Sequence, residues 1–206
     1  TLYRGLLGYY EATGNAKVLQ ALKRAFANLM EGYPKGQSNP FCVENSFSGH
    51  CHGLTIVDAL CEMTAITGDE TYEEYAVWLY ENYSENRVSE EDMKIESLEN
   101  PDYFWKDHGV HAYEHVRPVV IAAYRKPAYR HLLDQLLAKL PFYLTPSVAQ
   151  WATNGLAAAQ PMPVLPGMNS VPLRSCSTAM PYCWKKAGRW YGATRWNGCT
   201  ITPVWV

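Results

Sequence analysis

The chain has 206 residues, 18 basic and 20 acidic, with a formal net charge of −2. That length can bury a real core, and the near-neutral balance argues against nucleic acid as a partner. No stretch reaches the ~20 apolar residues of a membrane span, so no membrane partner is expected.

The chain opens at Thr1 with neither a methionine nor a signal-peptide pattern, so its natural beginning is expected to lie upstream. Leu2 to Ala12 is apolar on nearly all sides and ends at Thr13-Gly14-Asn15. Gly14 suits the left-handed residue after a helix, and Asn15 can cap the free amides of the next. From Ala16 to Met30, apolar residues fall at Val18, Leu19, Leu22, Ala25, Phe26 and Leu29, a helical spacing. The two segments predict a helical hairpin with a very short turn. Gly32 to Asn45, rich in Gly, Pro, Ser and Asn, predicts a loop.

The second hairpin repeats the first. Gly53 to Ile66 predicts an apolar helix and Thr67-Gly68-Asp69 its turn. Tyr72, Tyr75, Ala76, Leu79 and Tyr83 then mark one face of the next helix. Asp69 is the expected cap, with Thr71 and Glu74 as a capping-box alternative. Ser84 to Asp102 is acidic and polar, and it predicts a solvated excursion that includes Glu90-Glu91-Asp92.

A third hairpin starts near Asp107. His111 to Tyr124 has a helical pattern, with Pro118 predicting a kink or a helix start close by. After the abbreviated turn Arg125-Lys126-Pro127, Ala128 to Tyr143 closes the hairpin through Leu132, Leu133, Leu136, Leu137 and Leu140. Three hairpins at a period of roughly 55 residues are a repeat architecture. Apolar inner helices and amphipathic outer ones predict an all-α fold, a partial α/α toroid making half of a six-pair ring.

Three motifs carry a family resemblance: Y-Y-E-A-T-G-N, then G-H-C-H-G-L-T-I-V-D-A-L-C-E-M-T-A-I-T-G-D-E-T-Y, then H-G-V-H-A-Y-E-H-V-R-P. Together they resemble the glycoside hydrolase family of β-L-arabinofuranosidases, over Leu2 to about Leu144. Many α/α-toroid carbohydrate enzymes share the helix-T-G-D-helix unit, whereas the His-Gly motifs at inner-helix starts are more specific. The resemblance implies an α/α barrel with its site at the inner-helix ends, where histidines bind the sugar. By motif position those are His50 or His52, and His108 or His111. It implies a carbohydrate partner, an arabinose-containing or related glycan. It also implies a retaining mechanism with a cysteine nucleophile beside zinc, ligated through an E-x-C motif and a later cysteine pair. Neither motif occurs in this chain, so no metal site is expected here and the chain as written is expected to be inactive.

The last segment changes character. No Asp or Glu follows Asp134, and Ser147 to Val206 holds five of the seven tryptophans, six of the thirteen prolines and three of the six cysteines. Ordinary domains mix charges throughout. Reading each codon's third base with the next two forces Gly at Trp151-Ala152, Ala at Met162-Pro163 and Glu at Met168-Asn169. The same shift forces Leu-Leu-Glu across Tyr182 to Lys185 and Glu at Trp196-Asn197, and it permits an E-x-C. A frame break between about Pro146 and Trp151 is therefore expected. Residues 1–146 would form the helical arc, and 147–206 an irregular or disordered tail without a domain.

Several residues have a plainer reading beside the functional one. Cys42, His50, Cys51 and His52 could suggest zinc, but His-Cys-His in succession cannot easily converge on one ion. His108, His111, Glu114 and His115 share a helical face, as a sugar-binding rim, an acid/base group or an ordinary polar helix start. Glu44 reads as a solvated loop acid. The stripe Tyr72, Tyr75, Trp78, Tyr80 and Tyr83 reads as packing rather than sugar stacking. Cys176, Cys183 and Cys199 carry no chemistry if the frame is broken. Two other functions remain open: a non-catalytic helical-repeat scaffold, and another α/α-toroid sugar enzyme such as an epimerase or unsaturated-uronyl hydrolase.

Overall fold

Two turns built from the same residue types organise the chain. At Thr13-Gly14-Asn15, the Thr13 hydroxyl donates to the Tyr9 carbonyl at 2.7 Å and accepts the Asn15 amide at 3.3 Å. Asn15 Oδ1 then accepts the Lys17 amide at 3.0 Å. Thr67-Gly68-Asp69 repeats every bond: Thr67 to the Met63 carbonyl at 2.6 Å, the Asp69 amide to Thr67 at 3.2 Å, and the Thr71 amide to Asp69 Oδ1 at 3.0 Å. Gly14 and Gly68 adopt φ of 64° and 73°, a conformation that side chains disfavour. Asp69 thus satisfies the first amide of the next helix, but from one residue before the N-cap position, which is Glu70 and makes no side-chain capping bond.

The computed structural model describes residues 2–43 and 48–143. The expectations for Glu44, for the tail from Ser147 and for Cys176, Cys183 and Cys199 concern positions outside the described residues. The described chain is all-α, with no strand, and its helices pair as hairpins. Helix α1 (Leu2–Thr13) turns into α2 (Ala16–Gly32). A short α3 (Ser48–Cys51) runs through a 3-10 segment (His52–Ile56) into α4 (Val57–Thr67), which turns into α5 (Thr71–Glu85). Helix α6 (Ile95–Glu99) precedes α7 (Gly109–Arg125), and a 3-10 turn (Pro127–Tyr129) joins α7 to α8 (Arg130–Lys139). A last 3-10 segment spans Leu140–Tyr143. Helix α4 touches both α1 and α7, while α5 packs on α4 and α7. Among the described residues no helix is long and apolar enough to cross a membrane.

Four expectations change. The helix expected from Gly53 begins with a 3-10 stretch, in which the Thr55 hydroxyl takes the His52 carbonyl at 2.7 Å and competes with regular helix bonding. Helix α7 starts at Gly109 and continues through Pro118 rather than starting near it. Burial of Pro118 and its neighbours offsets the missing backbone bond. In α1 only Leu7 is buried, and Leu2 and Tyr9 are exposed, so the apolar character of that helix does not translate into burial. The most enclosed helix is instead α5.

The fourth change is the largest. Ser84 to Asp102 is not a solvated excursion: Val88, Glu90, Asp92, Met93, Lys94, Ser97 and Leu98 are all buried. The segment covers the far side of α5, with Tyr80 donating to the Met93 carbonyl at 2.8 Å and Ser84 accepting the Ile95 amide at 3.3 Å. The loop after α2 covers it too, through Tyr75 on the Tyr33 carbonyl at 2.8 Å and the Phe41 amide on Asn82 at 3.2 Å. Tyr72, which packs edge-on against Phe26 of α2, and Tyr75, Trp78, Tyr80 and Tyr83 are all buried. The stripe is core packing.

Candidate functional site

Helix α7 begins with three residues that can present chemistry on one face. His108 is its extended N-cap residue and makes no capping bond through its side chain. His111 follows at the helical spacing of three, and its ring lies 4.5 Å from that of His108. Glu114 continues the face. His52, at the head of the 3-10 segment before α4, meets His111 edge-on at 4.1 Å and 82°. Its Nδ1 lies 3.7 Å from Glu114 Oε2. Four of the five residues singled out from the sequence therefore come together from two distant stretches. His50, the fifth, is half-buried on α3, two residues before His52.

A residue expected in solvent completes the group. Glu90 is 5% exposed and hydrogen-bonds through Oε1 to His111 Nδ1. Its backbone is fastened on both sides. The Tyr83 hydroxyl donates to the Glu90 carbonyl, and the Asp107 carboxylate accepts the Glu91 amide and, at 2.8 Å, the Asp92 amide. Asp92 reciprocates by accepting the Lys106 and Asp107 amides, each at 2.9 Å. Two short runs, 90–92 and 105–107, are thereby clasped face to face by their own carboxylates. Val88 and Met93 offered the sequence-level signal: apolar residues inside an acidic run are candidates for burial.

Burial, with the charge of Asp107, pushes the Glu90 carboxyl up to about 7, against the pull of His52 and His108. Burial and Asp107 also raise Asp92, while the two backbone amides it accepts oppose the shift. His115, on the same helix as His111, is buried. Burial pulls it down to about 4, so it is neutral near pH 7, and its Nε2–H donates to the Cys51 carbonyl at 3.0 Å. It therefore ties α7 to the start of the second hairpin, and the structural reading of that histidine prevails.

Two polar atoms of the cluster, Glu90 Oε2 and His108 Nδ1, are buried without a hydrogen-bond partner. A carboxyl that titrates near neutrality beside three imidazoles can both accept and donate protons. The group has the mixed donor and acceptor character that binds hydroxyls.

The zinc ligands implied by the family resemblance, an E-x-C motif and a later cysteine pair, do not occur in this sequence. Burial raises the Cys51 thiol, whose Sγ lies 3.4 Å from Ser89 Oγ. Among the described residues, no group of three or more His, Cys, Asp or Glu is arranged to hold a metal ion. Searches for relatives return nothing: no family model, no curated protein and no solved structure matches this chain.

Proposed function

We propose that the cluster is the sugar-binding rim of a glycoside hydrolase resembling the retaining β-L-arabinofuranosidases. The observation that carries this reading is the convergence of His52, His108, His111 and Glu114, singled out from the sequence, around one half-open group. Sugars present several hydroxyls that each donate and accept, and imidazole and carboxyl groups match that demand. The chain holds neither an E-x-C nor an adjacent cysteine pair, so this reading makes it a binder that does not turn substrate over. The missing motifs would then belong to the frame interrupted between about Pro146 and Trp151.

The purified chain tests this directly. Histidine ring signals in NMR should shift on titration with methyl β-L-arabinofuranoside, with no chromophore released from an aryl β-L-arabinofuranoside. Unshifted signals across a panel of glycosides would remove the sugar reading. Chromophore release would remove the claim of inactivity.

One observation favours a second reading. The Glu90–His111 pair is the acid-and-histidine arrangement that a metal-free α/α-toroid sugar enzyme, an epimerase or uronyl hydrolase, would need. Consumption of an unsaturated uronide or epimerisation of a free sugar by the chain, undiminished by chelators, would move that reading ahead.

A further inference from the structure

We propose that Glu90 touches the ligand directly, its Oε2 receiving one hydroxyl of a bound sugar while the neighbouring hydroxyl reaches His108 Nδ1. The inference rests on the sugar-binding reading and adds to it a residue that the family motifs do not contain.

The observations are geometric. Glu90 Oε1 is engaged by His111, whereas Oε2 is buried with no partner. A buried carboxylate oxygen left unsatisfied is costly, and buried polar groups are nearly always paired. His108 Nδ1 is orphaned in the same way. Both residues contact the same imidazole: Glu90 binds the His111 nitrogen, and the His108 ring lies 4.5 Å from the His111 ring. The two orphan atoms thus belong to residues that contact one side chain, His111.

The carboxyl is also held in position by contacts that do not use it. Tyr83 holds the Glu90 carbonyl, and Asp107 holds the next two amides. Pre-positioning of that kind lets a group meet a ligand without paying to order itself on binding. The solvent-facing member of the group is His52, whose side chain is 47% exposed and abuts His111.

The class of ligand follows from the charges. An anion would face Glu90, Glu114 and Asp107, all of which act on the same cluster, and an apolar molecule would leave both orphan atoms unpaired. Adjacent ring hydroxyls satisfy both, because each can donate or accept as the protonation of Glu90 and His108 requires.

The test is a cycle of variants against deoxy sugars, using the full chain. Calorimetry measures binding of methyl β-L-arabinofuranoside and its single-deoxy analogues to wild type, Glu90→Gln and Glu85→Gln. Glu85→Gln changes an exposed acid at the end of α5, away from the cluster and its clasp, and should bind as wild type does. Wild type should lose about tenfold for one deoxy analogue, and Glu90→Gln should lose about tenfold for the parent sugar with no further loss for that analogue. Equal losses for every analogue in Glu90→Gln would assign Glu90 a structural role and overturn the proposal. So would binding within about twofold of wild type. Failure of wild type to bind any sugar would overturn the sugar reading itself, a different result from a binding wild type with a silent Glu90. Should circular dichroism show Glu90→Gln unfolded, Glu90→Asp takes its place and must show the same selective loss.

Discussion

At the scale of single residues, Glu90 has a stability consequence that is independent of any ligand. Its native pKa of about 7 lies above its ordinary value of 4.5. Between those values the folded protein keeps a proton that the unfolded chain releases. The stabilisation is full below about pH 4.5 and is lost as pH climbs through about 7. Glu90→Gln cannot ionise, so relative to wild type it should gain on the order of 2 kcal/mol between about pH 5 and pH 8. Urea unfolding at the two pH values measures this, and a relative loss would contradict it. The difference is needed because His115 has the opposite sign. Held near 4 instead of 6.5, it adds stability as pH rises through that window. Helical spacing placed His108, His111 and Glu114 on one face; it could not show which nitrogen would find a partner.

At the scale of elements, the hairpin turns and the helix-to-helix ion pair make separate predictions. Gly68 adopts φ of 73° with no atom within 4 Å of where a Cβ would stand. Gly68→Ala should therefore cost about 1–2 kcal/mol from the backbone alone, read as a lowered thermal midpoint with the helix content unchanged. A neutral result would mean that the turn relaxes. Helices α4 and α7 are joined by Arg117, which donates through Nη1 to Asp58, while Arg4 of α1 approaches the same carboxylate at 3.6 Å. Asp58→Asn leaves a buried guanidinium without that charge and should cost about 3–5 kcal/mol in urea unfolding. A loss under about 1 kcal/mol would show the pair to be peripheral. The turns were legible because their bonds span only two to four residues. The Asp58–Arg117 pair was not, because it spans 59 positions.

At the scale of the whole molecule, the last described residue locks the third hairpin to the wrapping segment. The Tyr143 ring stacks on Trp105 at 4.4 Å, its hydroxyl accepts the Trp105 amide at 2.7 Å, and its carbonyl accepts the Tyr113 hydroxyl at 2.7 Å. Tyr143→Ala should cost about 3–5 kcal/mol and loosen the clasp that holds Glu90, so amide exchange at Glu91 and Asp92 should quicken with it. Exchange unchanged at those two amides would uncouple the clasp from the third hairpin. Local sequence by itself determined the helices, the Thr-Gly-Asn and Thr-Gly-Asp turns, and the histidines at the head of α7. Each depends on contacts within one or two helical turns, which spacing and residue type specify. Only the tertiary structure decided that an acidic, polar stretch would be buried and would carry the central carboxyl of the candidate site. Composition describes how a segment meets water when alone. Glu90 is enclosed by Tyr83, Asp107 and His111, so its burial depends on three segments meeting in the fold.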